Sequence, residues 1–194
     1  METLVTHCNR VARYALQTFD GNKELFIAGL LHDVGKVEIP VSILKKKGPL
    51  TNYEYEVIKE HPQKGANLLN KLSYSEEIVV AILCHHEKWD GTGYPYGLTG
   101  ENIPLFSRIL AVADAYDAMT SYRPYRRKLT VDEALQEIEI NAGTQFDPHI
   151  VELFLHRLKR NCNENKRVST GFGNNGYNNA TDGWNRSFKG DKNA

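Results

Sequence analysis

The sequence predicts an all-α protein, and three observations support this fold class. Apolar residues recur at the three- and four-residue spacing of helices over most of the chain. Ser or Thr followed three residues later by Glu, the pattern of a capping box, precedes three of these stretches. Signals of β-strands are few. The β-branched run at residues 78–84 is compatible with a buried strand, but the box before it and its continuation to His86 favour a helix.

The first two helices are short and close together. Residues 4–19 place their apolar side chains on one face, and the turn Asp20-Gly21-Asn22 ends this helix. Residues 23–32 form a second helix that is apolar on nearly all sides and is therefore expected to be buried. Gly35 then breaks the pattern.

Two helices are predicted on either side of a proline. The box at residues 51–54 opens a helix that His61-Pro62 interrupts, because proline does not continue a helix. The same proline suits the first turn of the next helix, residues 62–72. A second box, residues 73–76, opens the helix that runs to His86.

Residues 87–104 form a long loop rich in Gly, Pro and Asp. Loops of this length inside a compact domain are usually functional or disordered, and the aromatic residues of this one favour function. Further helices are predicted over residues 105–119, after the box at residues 130–133, and from Asp147-Pro148 to about Lys159.

The composition changes near residue 160. Residues 161–194 consist mainly of Asn, Gly, Ser, Thr and Lys, and almost no aliphatic side chains occur among them. Such a segment cannot bury enough apolar surface to offset the entropy lost on ordering. We therefore expect one helical domain over residues 1–160 and a disordered tail over residues 161–194.

Composition also limits the partners. The chain has 24 basic and 24 acidic residues, so its net charge gives no reason to expect binding to a nucleic acid polymer or a membrane. Three well-separated cysteines argue against a disulfide framework and fit a reducing compartment. Because the sequence also lacks a signal-peptide pattern, the expected location is the cytoplasm.

Polar side chains with metal-binding capacity lie where helices end or break. The pair His32-Asp33 follows an apolar run, and taken alone it is equally compatible with the polar end of a helix. Asp114 lies on an otherwise apolar helix. Further histidines at such places are His7, His61, His85 and His86. Burying so many polar groups is costly unless they share a partner, and a metal site supplies one.

These residues form an ordered set of motifs over about residues 4–158. The set comprises His32-Asp33-Val34-Gly35-Lys36, His61-Pro62, His85-His86-Glu87, Gly93-Tyr94-Pro95, residues 108–121, Arg123-Pro124-Tyr125-Arg126 and Phe146-Asp147-Pro148. In this order they resemble the HD-GYP family, a branch of the HD superfamily of metal-dependent phosphohydrolases. The resemblance implies an HD-superfamily helical bundle with a long GYP loop.

The resemblance also implies an activity and a ligand set. Members hydrolyse the bacterial second messenger cyclic di-GMP to pGpG and in some cases to GMP. The implied metal ligands are His7, His32, Asp33, His61, His85, His86 and Asp114. Asp33 would be the catalytic carboxylate that bridges two ions. Some members hold a third ion with a glutamate one helical turn before His7, where this chain has Thr3, so the resemblance favours two ions over three.

The nature of the ligands suggests which metals are held, and the same resemblance suggests how the substrate is held. Mixed histidine and carboxylate ligands suit iron or manganese best. Lys36 is positioned to contact the scissile phosphate or assist the leaving oxygen, although it also fits the role of a cation at a helix end. Arg123 and Arg126 would bind cyclic di-GMP, unless they belong to a solvated basic face. Tyr94 would contact substrate, and its loop would contact diguanylate cyclase (GGDEF) partners, or Tyr94 is purely structural.

Two rival functions remain open at this point. One keeps the chemistry and changes the substrate to another cyclic dinucleotide, such as cyclic GMP-AMP. The other is a catalytically idle domain that senses the nucleotide or binds a partner. The short segment before His7 also raises the alternative that the chain is a fragment of a longer signalling protein.

Overall fold

The structure, a computed structural model, describes residues 4–19, 21–122 and 127–170, with side chains described as far as residue 160. Among the described residues, those up to Lys159 form one compact unit and those from Arg160 onward a second, and the fold below is that of the first. The helices are α1 (Leu4–Thr18), α2 (Lys23–Leu31), α3 (Val41–Leu44), α4 (Asn52–Lys59), α5 (His61–Lys71), α6 (Glu76–Leu83), α7 (Leu105–Thr120), α8 (Val131–Ile140) and α9 (Pro148–Thr170). Short 3₁₀ helices occur at Val34–Glu38 and Gly100–Asn102.

Every regular element among the described residues is a helix, which agrees with the predicted all-α class. The run at residues 78–84, compatible with a strand by sequence, forms most of α6. None of the helices in the described ranges has the length and apolar content needed to cross a membrane.

Two of the three predicted capping boxes are present. Thr51 Oγ1 accepts from the Glu54 N–H at 3.2 Å, and the Glu54 carboxylate accepts from the Thr51 N–H at 2.7 Å. Thr130 and Glu133 repeat this exchange at 3.2 and 2.8 Å. Each box satisfies two N–H groups that the first turn of a helix leaves without partners.

The prediction of a third box at residues 73–76 is wrong. Ser73 has φ of 60°, and the N-cap of α6 is Ser75, whose side chain makes no capping bond. Ser73 instead ends α5: its own N–H donates to the Asn70 carbonyl, and the next N–H, of Tyr74, donates back to the Leu69 carbonyl at 3.1 Å. A residue in the left-handed region that closes a helix in this way cannot also open the next one.

The last helix is longer than predicted. Its backbone continues to Thr170, whereas the sequence predicted an end near Lys159. Residues 160–170 contain neither Gly nor Pro, so nothing in them interrupts the helix. The remainder of the predicted tail, residues 171–194, lies outside the described residues.

Helix α7 lies at the centre of the fold and packs against α1, α6 and α8. Its residues Ile109, Leu110, Val112 and Ala113 are completely buried. Truncating a buried Leu or Ile to Ala costs about 2–5 kcal/mol, so these side chains contribute strongly to the stability of the core. Two of its few polar side chains, Asp114 and Asp117, are therefore presented from a well-packed helix.

A close backbone contact holds the His32-Asp33 segment against α5. A Cβ atom added at Gly35 would lie 1.9 Å from the His61 carbonyl oxygen and 2.5 Å from the Gly65 nitrogen. Only glycine allows this approach. The contact brings two segments with candidate ligands, the one before Gly35 and the start of α5, side by side.

Candidate metal centre

Three candidate ligands are histidine rings held by carbonyl groups at helix ends. The Nδ1 atoms of His32, His61 and His85 lie 2.8, 2.7 and 2.6 Å from the carbonyl oxygens three residues earlier. Those carbonyls belong to the last turns of α2, α4 and α6, where helical acceptors lack their usual i+4 donors. The carbonyl that anchors His61 belongs to Ile58. It lacks a helical donor because the residue four positions later is Pro62, which has no N–H.

These anchors determine which ring nitrogen carries the hydrogen. A carbonyl oxygen only accepts, so the hydrogen lies on Nδ1 and Nε2 presents a lone pair. The Nε2 of His32 is buried and has no hydrogen-bond partner among the described residues. The Nε2 atoms of His61 and His85 lie 3.4 Å apart. Buried lone pairs that face one another fit a shared cation.

The candidate ligands form two groups, within each of which the ligand atoms lie within 4.8 Å of one another. We call them the triple-histidine group (His61, His85, His86) and the mixed group (His7, His32, Asp33). Among the described residues, these are the groups able to hold a metal ion.

The carboxylate of Asp33 lies between the two groups. Its Oδ1 is 3.4 Å from the Nε2 of His61. Its Oδ2 is 3.6 Å from the Nε2 of His32 and 3.7 Å from the Nε2 of His7. One oxygen thus faces each group, which is the arrangement expected of a carboxylate shared by two ions.

His7, predicted to lie at a helix end or break, lies within α1 instead, and with Asp114 of α7 it completes the cluster. His7 Nε2 lies 3.2 Å from an oxygen of Asp114. On the other side of the same ring, Nδ1 lies 2.7 Å from an oxygen of Asp117, which is itself buried. A carboxylate therefore orients His7, as carbonyl groups orient the helix-end histidines.

Burial keeps the rings of the triple-histidine group neutral. Burial lowers the pKa of His61, lowers that of His85 further, and lowers that of His86 to about 4. All three rings are therefore neutral at neutral pH, the form that binds a metal.

The mixed group differs because His7 is surrounded by carboxylates. Burial alone would lower its pKa, but hydrogen bonds to Asp114 and Asp117 outweigh this and raise the pKa to about 9. Burial would likewise raise the pKa of Asp33, but His32 and Lys36 hold it below its usual value. A metal ion entering this group would replace a proton on His7.

Lys36 lies at the edge of the centre. Its Nζ is 2.6 Å from Asp33 Oδ2, three residues earlier, and its side chain is partly exposed. The ammonium therefore contacts the carboxylate that joins the two groups and is also accessible to a ligand from solvent.

Tyr94 lies beside the triple-histidine group. Its ring centroid is 4.9 Å from that of His86, and its N–H donates to the His86 carbonyl. The Nζ of Lys59 is 5.3 Å from the centroid of the same ring. The other two predicted substrate contacts, Arg123 and Arg126, lie outside the described residues, as does Thr3.

Sequence reasoning missed two residues that support this arrangement. Glu87 is buried, and its carboxylate accepts from the N–H groups of Tyr96 and Leu98, which fixes the loop that carries Tyr94. Arg10 binds Asp117 through two hydrogen bonds. The position of Arg10 one turn after His7 could have indicated that it lies near the candidate ligands. Its partner Asp117 could not be predicted, because it is 107 residues away in the chain.

Cys84 is buried and free next to His85, as expected of a small apolar side chain. Burial and the nearby Glu87 raise the pKa of its thiol to about 11. It is therefore a neutral packing residue.

Two curated relatives share much of this sequence. A cyclic di-GMP phosphodiesterase of Vibrio cholerae is 49% identical over 138 residues, which cover 68% of this chain and 28% of that protein. The 3'3'-cGAMP-specific phosphodiesterase 2 of the same organism is 37% identical over 161 residues, which cover 80% of this chain and 30% of that protein. This chain thus spans less than a third of the length of either relative.

A solved structure and a family profile identify the domain. The structure of Bd1817, an HDG"Y"P protein from Bdellovibrio bacteriovorus, matches with a TM-score of 0.64 at 20% identity, over 81% of this chain and 53% of that one. This likeness confirms the predicted helical fold. The profile described as HD domain matches residues 6–150. With its motifs in the predicted order on this fold, the chain belongs to the HD domain family.

Proposed function

We propose that this chain is a metal-dependent phosphodiesterase that hydrolyses cyclic di-GMP to linear pGpG, with GMP as the alternative end product. The observation that carries the proposal is the position of Asp33, with one carboxylate oxygen facing each group of histidines. Relatives named cyclic di-GMP phosphodiesterases, 44–49% identical, support the choice of substrate.

The proposed ligands divide between two divalent ions. The triple-histidine group and Asp33 would hold one ion, and His7, His32, Asp33 and Asp114 would hold the other. Such ions would supply an activated water and neutralise the charge that develops on the phosphate. The mixture of imidazole and carboxylate favours iron or manganese. We propose two ions, since Thr3 offers no carboxylate for a third.

Lys36 has two roles in this proposal. In the metal-free centre its ammonium stabilises the buried charge of Asp33. With substrate present, the same partly exposed ammonium turns to the scissile phosphate and stabilises the leaving oxygen.

Further contacts would hold the rest of the dinucleotide. The ring of Tyr94, which lies next to His86 and under Lys59 in the metal-free centre, would stack on a guanine base. Arg123 and Arg126 would bind phosphate or the guanine edge. The loop that carries Tyr94 would also contact diguanylate cyclase (GGDEF) proteins.

We place this activity in the cytoplasm, since Cys8 and Cys84 are both free.

A second candidate substrate is 3'3'-cyclic GMP-AMP. Three relatives that are 37–41% identical are named 3'3'-cGAMP-specific phosphodiesterases. The same centre would cleave either molecule, because both offer a phosphodiester and differ in one base. The choice between them then depends on base contacts, such as those proposed for Tyr94.

The test combines metal counting with turnover. The full chain is purified without oxygen, loaded with iron or manganese, and assayed for the linear products of cyclic di-GMP and of 3'3'-cyclic GMP-AMP. We expect about two ions per chain and faster cleavage of cyclic di-GMP. Asp33→Asn should bind fewer ions and turn over at least about 10³-fold more slowly, because both ions share this carboxylate.

Asp132→Asn is the matched control, since Asp132 is an exposed carboxylate in the first turn of α8. It should keep both ions and full turnover. Nucleotide binding without turnover in any metal would replace the enzyme by a sensor. Faster cleavage of 3'3'-cyclic GMP-AMP would replace only the substrate.

A further inference from the structure

His7 is held differently from the helix-end histidines. It lies within α1, where helical hydrogen bonds occupy the backbone carbonyls, so no carbonyl is left to orient its ring. The Asp117 carboxylate takes this role at 2.7 Å. The direction of His7 Nε2 therefore depends on where a side chain from another helix is held.

Arg10 holds that side chain. Its Nε and Nη2 donate to the two carboxylate oxygens of Asp117, the second bond at 2.9 Å, in the bidentate geometry that arginine makes with carboxylates. Nη2 also donates to Ser121 Oγ at 2.8 Å, and Ser121 Oγ lies 3.3 Å from Asp117. Asp117 is thus fixed from three sides: by His7, Arg10 and Ser121.

The charges are consistent with this arrangement. The side chain of Asp117 is 1% exposed, so its charge needs a buried partner. Arg10 is 30% exposed and lies one turn after His7, on the same face of α1. One helix therefore supplies both a candidate ligand and the cation that fixes the carboxylate orienting it.

We propose that Arg10 is a positioning residue for the mixed group. Through Asp117 it keeps Nε2 of His7 directed at Asp33 and Asp114, so ion binding by the mixed group depends on Arg10. Ion binding by the triple-histidine group does not, because backbone carbonyls orient two of its three rings, those of His61 and His85, and Arg10 contacts none of them. This inference rests on the two-ion centre proposed above.

A purely structural role for Arg10 predicts a different result. Arg10 also joins α1 to α7, and a structural tie would change the thermal stability of the metal-free protein while leaving the affinities of the two ions in the same ratio. The positioning role changes that ratio. Ion affinities therefore separate the two roles, and activity alone does not.

The test compares Arg10→Met and Arg10→Lys with wild type. Manganese is titrated into the metal-free full chain, and electron paramagnetic resonance distinguishes a coupled pair of ions from a single one. In Arg10→Met we expect one ion to bind as in wild type and the other to bind about 10–100-fold more weakly, with loss of the coupled signal. Arg10→Lys keeps the charge without the fork and should lie between the two.

Arg127→Met is the control, because Arg127 forms an exposed ion pair with Glu133 away from the centre. It should bind both ions as wild type does. Equal weakening of both ions in Arg10→Lys, or unchanged binding in Arg10→Met, overturns the positioning role and leaves the proposed function intact. A wild type that binds no pair of ions overturns both. Circular dichroism checks folding, and the lysine variant decides the matter should the methionine variant unfold.

Discussion

The two sides of the centre hold their histidines by different means. On the helix-end side, His32, His61 and His85 are anchored by backbone carbonyls at 2.6–2.8 Å. On the helix-body side, His7 is anchored by Asp117, which depends in turn on Arg10. Backbone anchors are fixed by the fold itself, whereas side-chain anchors depend on the position and charge of further residues. The two sides should therefore respond differently to substitution and to pH.

The largest expected effect comes from removing one histidine from each side. His85→Asn should lose the ion of the triple-histidine group and lower turnover by about 10³-fold, since a buried ligand is replaced in the most rigid part of the centre. His7→Asn should weaken only the ion of the mixed group. Metal analysis after dialysis and steady-state kinetics measure both effects. Loss of both ions in His7→Asn would contradict the independence of the two sides.

The next largest effect is expected from a substitution on the helix-end side that replaces none of the candidate ligands. In Gly35→Ala, the added methyl group would overlap the His61 carbonyl and the backbone of α5. We expect a loss of about 3 kcal/mol in the free energy of unfolding, because backbone must move to relieve the overlap. Denaturant unfolding of the metal-free protein measures it.

Gly48→Ala is the matched control for this overlap. Gly48 is exposed, and a Cβ atom there meets no other atom within 4 Å. The stability of this variant should stay within about 0.5 kcal/mol of wild type or rise slightly. If Gly35→Ala and Gly48→Ala lowered the free energy of unfolding by the same amount, the loss would not come from an overlap at Gly35.

The helix-end side was the more predictable from sequence. Its histidines sit in short motifs at helix ends, and the missing N–H of Pro62 can be read directly from the chain. The structure brings all seven candidate ligands together, although their roles as ligands stay a prediction. The supporting role of Arg10 on the helix-body side was less accessible, because Arg10 and Asp117 pair across 107 positions.

Local signals also misled where tertiary structure decided the outcome. The Ser73 box had the right residue types, but the end of α5 required a left-handed residue at that position. The same composition rules that predicted a tail from residue 161 gave no reason for the helix to stop before Thr170. The sequence pattern thus predicted the types of the secondary-structure elements better than the residues at which they begin and end.

The pH dependence of the metal-free protein should separate the triple-histidine group from the mixed group. The raised pKa of His7 means that the folded state binds its proton more tightly than the unfolded state. This stabilisation is complete below about pH 6.5 and is lost as the pH rises to about 9. His86 has a lowered pKa, so its contribution is complete above about pH 6.5 and is lost as the pH falls to about 4.

Stability of the chelated protein should therefore be greatest near pH 6.5. Each titrating group should add a slope of at most about 1.4 kcal/mol per pH unit. Thermal unfolding across pH 4–9 measures both limbs. His7→Gln should flatten the alkaline limb. His86→Gln should make the acidic limb shallower without removing it, because the lowered pKa values of His61 and His85 also contribute there. A change in the same limb in both variants would show that the two groups titrate as one unit.

The smallest expected effect concerns Tyr94, which lies against the helix-end side without belonging to its ligands. Tyr94→Leu should leave both ions bound and raise KM about fivefold to tenfold, which corresponds to the lower end of the about 1–3 kcal/mol that stacking of a base on an aromatic ring contributes. Tyr94→Phe keeps the ring and should change KM by less than about twofold. Tyr53→Leu, a change at a tyrosine of α4 that is 76% exposed, controls for the loss of an aromatic side chain. If Tyr94→Leu instead loses an ion, the ring packs His86 into place, and Tyr94 is a structural part of the helix-end side.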